Sequence, residues 1–445
     1  MNITGKIILT RPMLDKLSVP MQAYIRVRVG NTVVTSQLEV SNKDNYSYSL
    51  STSLAKALYI KKRPLRIRYD EKFNTIHLGP TIGILSTSLP NRTNYDPKST
   101  NAELIYLSDI GKKIDGNVFL FTPNCVNFNN NTIKGYIYNH NPGRGVWVPA
   151  IYPIPDVIYD RISSRKSELK HNQIRQELMY MPYVKYFNPS FLNKWDVHQI
   201  LTTENELSSN LPDTKELTKN NLQYMLELYK VVFVKPSNGS LGQGIIRVLK
   251  TKQNKLNYTI YRNNRIRRQA DNVDEFFKNT TKTRGDKHYI VQQGLDLASY
   301  KGAPFDLRII YQKNGKGEWV ISKKFVRVAA KGSNISNLSI GGKAEVSRKV
   351  FRYLFKTTDL ITVKNEEINL LCNKIANTLE QTCNQIYGEL GLDIGIDKNG
   401  NPWLIEVNSK PRKTTETDFS MTIVRNTFIR PLEYASYLAG FPINN

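Results

Sequence analysis

The spacing of apolar and polar positions changes character twice along this chain. Over the first 90 residues apolar side chains alternate with polar ones, as in Tyr24-Ile-Arg-Val-Arg-Val-Gly30 and Arg66-Ile-Arg-Tyr-Asp70. A period of two marks strands that bury one face, and the Gly and Asn residues between the runs supply turns. Ser51–Tyr59 is the one helical candidate in this region. Residues 1–90 are therefore expected to form a small β domain, followed by a linker in the Asn/Pro/Ser-rich stretch Ser86–Ser99.

From residue 101 helical and strand patterns alternate. Asn117–Thr122 and Gly135–Tyr138 have strand character, and Pro149–Tyr159 leads into a basic helix near Ser163–Met179. An α/β domain over residues 91–190 accounts for this. The third region, residues 191–440, holds the longest amphipathic pattern. Over Glu367–Leu390 the residues Ile368, Leu371, Ile375, Leu379, Ile386 and Leu390 fall at helical spacing, with Gly391 as the expected cap. There is no internal repeat and no low-complexity tract.

That helix leads into Gly391-Leu-Asp393-Ile-Gly-Ile-Asp397-Lys-Asn399-Gly400-Asn-Pro-Trp-Leu-Ile-Glu406-Val-Asn408. Asn399-Gly400 is a strong hairpin signal, because both residues tolerate positive φ. A two-residue loop there puts Asp393 directly opposite Glu406, and Asn408 projects from the same face. Carboxylates facing each other at about 4.5–5.5 Å between Cβ atoms repel. A divalent cation converts that repulsion into binding, and Asp, Glu and Asn oxygens suit Mg²⁺. The flanking Leu392, Ile394, Ile396, Leu404, Ile405 and Val407 point to strands buried on both sides rather than to an exposed hairpin.

Val231-Val-Phe-Val-Lys235-Pro-Ser-Asn-Gly239-Ser240-Leu-Gly242-Gln-Gly244-Ile-Ile-Arg-Val248 reads as strand, glycine loop, strand. It has neither the Walker spacing nor a following helix, so it is no P-loop and no Rossmann fingerprint. Glycines let backbone N–H groups approach an anion, and Lys235 adds a point charge.

Charge narrows the partners. The 445 residues carry a formal net charge of +25, which favours polyanionic partners. The densest basic runs are Lys61-Lys62-Arg63 with Arg66 and Arg68, and Arg262 with Arg265, Arg267 and Arg268. No nucleic-acid-binding motif accompanies them, so no specific nucleic acid is expected. Three cysteines and five histidines form no ligand pattern. No apolar run is long enough to span a membrane and the start does not resemble a signal peptide, so the expected setting is the cytoplasm.

Asp393, thirteen residues to Glu406, then Val407-Asn408 resembles the Mg²⁺-ligand signature of the ATP-grasp superfamily. That superfamily includes D-alanine–D-alanine ligases, glutathione synthetases and the enzymes that add glutamate to a ribosomal protein. Ser409-Lys410-Pro411-Arg412, with the glycine loop, is most similar to the YheC/YheD branch of endospore coat-associated proteins. The resemblance implies an α+β ATP-grasp fold: two α+β subdomains closing on ATP and Mg²⁺, preceded by the α/β and β domains.

It also implies roles. Phe191-Leu-Asn-Lys194 and Leu211-Pro-Asp-Thr214 are similar to the family's first ATP lysine and the strand start beyond it. Lys194 and Lys235 would then reach the phosphates, with Ser240, Gly242 and Gly244 in the loop around them. His288–Leu295 resembles the segment that grips adenine, implicating Gln292, Gln293 and Leu295; relatives often carry Glu where Gln292 stands. Arg308 and Arg327 match arginines that face the transferred phosphate, and Ser336–Gly342 resembles a loop that covers the site. Asp393, Glu406 and Asn408 would hold the metal.

The implied activity is an ADP-forming carboxylate–amine ligase working through an acylphosphate. Its substrates would be small-molecule or peptide carboxylates and amines, of acidic character given the net charge, with spore-coat proteins as further partners. One departure stands out. Several relatives carry an arginine where this chain has Gly391, so Arg412 and Lys410 are expected to take the substrate carboxylate instead. The alternative is a nucleotide-binding structural or scaffolding spore-coat protein without turnover, against which stands the presence of Lys235, Asp393, Glu406 and Asn408 together. A general polyanion binder rests on charge alone.

Overall fold

The structure, a computed structural model, describes residues 3–61, 65–91, 95–141, 144–239, 242–262, 265–330, 342–416 and 420–443. Its strands form four sheets that follow one another along the chain. In the first, the alternating pattern buries Ile7, Leu9, Val27, Val29, Ile76 and Leu78. Two helices cover it. Thr52–Ala57 is capped by the Ser51 side chain, as the pattern suggested. Arg11–Leu17 was not expected; Pro12 in its first turn and left-handed Ser18 at its end delimit only seven residues, too few to show a period.

The second sheet is parallel at its centre, where Thr81–Ser86 lies between Asn117–Phe121 and Val157–Arg161. Strands buried on both faces read as unbroken apolar runs. Thr81–Ser86 is such a run, fully buried, so the connecting stretch begins only after it. The basic segment near Ser163 is two short helices, Arg165–Lys170 and Asn172–Tyr180. Asp156, at the mouth of the strand Val157–Arg161, accepts from Arg28 and His77 of the first sheet and from the Thr81 N–H.

The third sheet is antiparallel, ordered Thr214–Glu216, Tyr289–Gln293, Val231–Pro236, Ile245–Lys250, Leu256–Tyr261, Arg265–Ala270. Helices Lys219–Leu228 and Val273–Arg284 pack on its Val232/Val234/Ile246/Val248 face. The fourth runs Lys343–Val346, Trp319–Val328, Ala303–Lys313, Glu389–Ile396, Pro402–Asn408. The helix Thr358–Cys383 buries Ile368, Leu371, Ile375 and Leu379 against Leu307, Ile309, Leu392 and Ile394. Strand side chains alternate, so Arg308, Asp393 and Glu389 lie on the other face.

That helix corrects one expectation. It ends at Cys383, where left-handed Asn384 caps it, and Gly391 lies inside the strand Glu389–Ile396. The closing helix Met421–Leu438 returns to the second sheet, packing Val424, Phe428 and Leu432 against Leu107, Ile110 and Tyr159. No helix among the described residues is long and apolar enough to cross a membrane.

Candidate functional site

The hairpin places Asp393 opposite Glu406 and Gly391 opposite Asn408, as its sequence suggested, but by a different route. Ile396 pairs with Pro402, which leaves residues 397–401 between the strands instead of two. Asp397 organises that loop: its carboxylate accepts from the N–H groups of Asn399 and Asn401, and Gly400 takes φ 84°. Asn399 is not in the left-handed region, so this is no two-residue Asn-Gly turn. The register shifts between Asp393 and Ile394, where Ile405 forms a bulge. The longer loop and the bulge offset one another, and the two carboxylates still meet on one face.

Each carboxylate is already tied to cations. Asp393 Oδ1 accepts from Arg308 at 2.5 Å, and Oδ2 lies 2.8 Å from Arg327. Burial works to raise the Asp393 carboxyl, but the two guanidinium groups outweigh it and hold it below the usual carboxylate range. Arg327 also forks onto Asp306, at 2.8 and 2.5 Å. Glu406 Oε1 is 3.1 Å from Lys194 Nζ, which also donates to the Gly239 carbonyl at 2.8 Å. Lys194 is the first residue of the helix Lys194–Leu201, set by Asn193, whose side chain caps the N-terminus.

Across from the hairpin, Lys235 and Gln292 project from adjacent strands of the third sheet. Lys235 Nζ donates to Gln292 Oε1 at 2.5 Å, and Gln292 Nε2 donates to Thr214 Oγ1 at 3.0 Å. Burial pulls the Lys235 ammonium down to about 8, against the raising effect of Glu406. Lys194, His198, Lys235, Gln292, Leu404 and Glu406 line one cavity between the two sheets. It holds about 40 Å³, far below the roughly 300–1,000 Å³ of a ligand pocket. Admitting a nucleotide therefore requires the sheets to part.

The remaining predicted residues divide. Gly242 and Gly244 take φ 72° and 77°, conformations that favour glycine. Ser240 lies outside the described residues, as do Ser336–Gly341 of the covering loop. Gln293 turns away from the cavity: its Oε1 accepts from the Asp213 N–H at 3.1 Å. Leu295 is half-buried in the segment joining the two sheets and does not line the cavity. Arg412 is exposed, on a loop pinned at both sides. Lys410 is one of the pins, buried between Asp160 at 2.7 Å and Glu168 at 2.8 Å. It is therefore not free to meet a substrate, contrary to expectation. Lys413 is the other, 2.8 Å from buried Glu389.

Two contributions escaped the sequence reading. Arg165 reaches from the helix Arg165–Lys170 to donate to Asn238 Oδ1 at 3.1 Å, beside the glycine loop, and Asn193 Nδ2 donates to the same oxygen. His198 follows Lys194 by one helical turn, and burial lowers its pKa. Nothing local distinguishes Arg165 within a basic helix; only packing brings it here.

The oxygen donors Asp393, Glu406 and Asn408 share one face, which fits a hard divalent cation. Among the described residues no group of three or more His, Cys, Asp or Glu is assembled for a metal, so the site has two acids and an amide.

A family model described as YheC/D-like ATP-grasp matches residues 183–438, more than half of the chain. Endospore coat-associated protein YheD of Bacillus subtilis (strain 168) is 28% identical over 436 residues, covering 95% of this chain and 92% of that protein. YheC of the same organism is 24% identical over 362 residues, covering 80% and 96%. Among solved structures, VanG D-Ala:D-Ser ligase from Enterococcus faecalis aligns with 82% of this chain and 100% of its own, with a TM-score of 0.45 at 11% identity.

Proposed function

Since the chain belongs to the YheC/D-like ATP-grasp family, we propose that it is an ADP-forming ligase that joins a carboxylate to an amine. The observation that carries this reading is the cross-strand pair Asp393–Glu406: Glu406 shares one cavity with Lys194 and Lys235, and Arg308 and Arg327 hold Asp393 beside it. Four cations and two carboxylates converging between two sheets suit a polyphosphate and its counter-ion.

In the proposed reaction a substrate carboxylate oxygen attacks the γ-phosphorus, and the bond to the bridging oxygen breaks as ADP leaves. An amine then attacks the acyl carbon, expels phosphate and loses one proton. Lys194 exchanges Glu406 and the Gly239 carbonyl for phosphate oxygens. Lys235 does the same in place of Gln292. Arg308 and Arg327, held in orientation by Asp393 and Asp306, neutralise the charge on the transferred phosphoryl group. Arg412, unpaired among the described residues and fixed by its buried neighbours Lys410 and Lys413, receives the substrate carboxylate. Asp393, Glu406 and Asn408 would hold Mg²⁺, which supplies charge neutralisation at the phosphates when bound. Gln292 would meet the adenine, with Leu295 reaching it only once the sheets part, while the Gln293 side chain holds the chain at Asp213.

The names of the two Bacillus relatives support association with the spore coat, and a soluble cytoplasmic site of synthesis fits the absence of an apolar spanning helix among the described residues. The test is ADP release from ATP with pooled carboxylates and amines. Release that depends on both pools and disappears in Asp393→Asn is the expected result. Release independent of the pools, or equal in the variant, overturns the ligase reading.

A further inference from the structure

Gln292 meets polar neighbours on both sides within its own sheet. The register sets it opposite Thr214 on one flanking strand and opposite Phe233 on the other, and directly paired residues share a face. Lys235, two residues beyond Phe233, shares that face too. Thr214 and Gln292 are 4% and 9% exposed, so their polar atoms depend on one another for partners.

The chemistry of these partners fixes which end of the Gln292 amide points where. An ammonium only donates, so the Gln292 atom 2.5 Å from Lys235 Nζ is the oxygen. The Thr214 hydroxyl gives its own proton to the Pro212 carbonyl, 2.8 Å away. It therefore offers Gln292 only a lone pair, into which Gln292 Nε2 donates at 3.0 Å. Lys235 and Gln292 line the cavity between the sheets, whereas Thr214 stands behind them. The amide thus aims its oxygen into the cavity. To turn it over, Thr214 must release the carbonyl of buried Pro212 and leave that acceptor unpaired.

We infer that Thr214 is a positioning residue for base selection. By holding Gln292 with its oxygen inward, it makes the site accept a purine with an amine at C6 and reject one with a carbonyl there. The inference rests on the proposed nucleotide site and deepens it by naming what discriminates between bases. Besides Lys194 and Lys235, the cavity is lined by Leu201, Leu211 and Leu404, an apolar wall suited to a flat ring. When Lys235 turns to phosphate, as in the proposed reaction, Gln292 Oε1 regains a lone pair for the exocyclic amine. Thr214 is then left to keep the amide oriented. A carbonyl at C6 would meet Oε1 oxygen to oxygen, a repulsive element built against the wrong base. A carboxylate in this position would accept with either oxygen and need no such partner; an amide does. Thr214 and Gln292 belong to one sheet, so their bond persists when the two sheets part to admit a nucleotide.

The experiment is calorimetric titration of the full chain with MgATP and with the magnesium salt of inosine triphosphate, which carries a carbonyl in place of the C6 amine and adds no bulk. The readout is the ratio of the two dissociation constants, which a general loosening of the fold does not move. The wild type is expected to prefer MgATP by at least about tenfold. In Thr214→Val, which keeps the shape and removes the acceptor, the preference should fall to within about threefold. Thr214→Ser keeps the hydroxyl and should keep the preference. Adding Gln292→Glu to Thr214→Val should restore it, because a carboxylate needs no orienting. MgATP binding with equal ratios in the wild type and Thr214→Val, or with no preference in the wild type, overturns the inference and leaves the nucleotide site standing. So does a preference lost in Thr214→Ser, or one that fails to return in the double variant. A wild type that binds neither nucleotide overturns the proposed nucleotide site and the inference with it.

Discussion

The guanidinium of Arg308 rests on the bare backbone of Gly391. A Cβ at Gly391 would lie 3.1 Å from Arg308 Nη2 and 2.8 Å from Pro411 Cβ. The missing side chain thus gives room to an arginine from the neighbouring strand and to the loop that carries Arg412. A methyl group here must displace a proline ring, which cannot swing aside. Gly391→Ala is expected to cost about 1–3 kcal/mol in stability. With Arg308 shifted, kcat falls by roughly 10²-fold if the displacement nears 1 Å. MgATP affinity stays unchanged, as calorimetry on the same sample would establish.

Lys410 and Arg412 are two residues apart and should behave as opposites. Lys410→Met leaves Asp160 and Glu168 buried without their ammonium partner, a loss of about 3–5 kcal/mol. Arg412→Ala removes an exposed side chain and should change stability by less than about 0.5 kcal/mol. Its effect belongs in KM for the carboxylate substrate, with kcat nearly constant. Urea titration and initial-rate kinetics separate the two.

Lys235 gives the site a pH signature. Because burial lowers its ammonium to about 8, the free protein loses that charge above pH 8, where a phosphate would need it. The MgATP dissociation constant should rise by up to roughly tenfold per pH unit between 8 and 9.5. In Lys235→Arg the charge persists and the rise disappears. Calorimetry at four pH values is sufficient.

His77 sets a second pH dependence, in stability. Burial pulls its imidazole below the ordinary value; Asp156 at Nε2 works against this, while Arg28 and Arg68 at Nδ1 reinforce it. The unfolded chain takes up a proton near pH 6.5 that the folded protein refuses, so stability is lost as the pH falls below about 6.5. Asp156 is held below its usual range and adds its own loss only at lower pH. Relative to pH 7.5, Tm at pH 5.5 should fall. In His77→Gln most of that fall should vanish.

Much of this architecture is visible in local pattern, and the failures are physical. The alternation in Tyr24–Val29 and Arg66–Asp70 and the apolar run around Asp393 report burial directly. The hairpin face is legible in the sequence but its cause is not: no local signal marks Ile405 as a bulge, yet without it the longer loop would turn Glu406 away from Asp393. The helix Thr358–Cys383 stops short of the apolar Ile386 and Leu390 because left-handed Asn384 ends it, and those residues serve the following strand. Lys410 resembles a substrate ligand in sequence; Asp160 and Glu168, more than 200 residues earlier, make it a buried anchor. Arg165 acquires its place beside Asn238 in the same way, through contacts that sequence spacing does not encode.

The most direct measurement is calorimetric titration of MgATP into the wild type and Glu406→Gln. The substitution keeps the shape and removes one of the two facing carboxylates along with the partner of Lys194. Saturable binding in the wild type, lost or weakened at least tenfold in the variant, is the predicted result. Absence of binding to the wild type, or equal affinity in both, would contradict the assignment of the Asp393–Glu406 pair as a nucleotide–metal site.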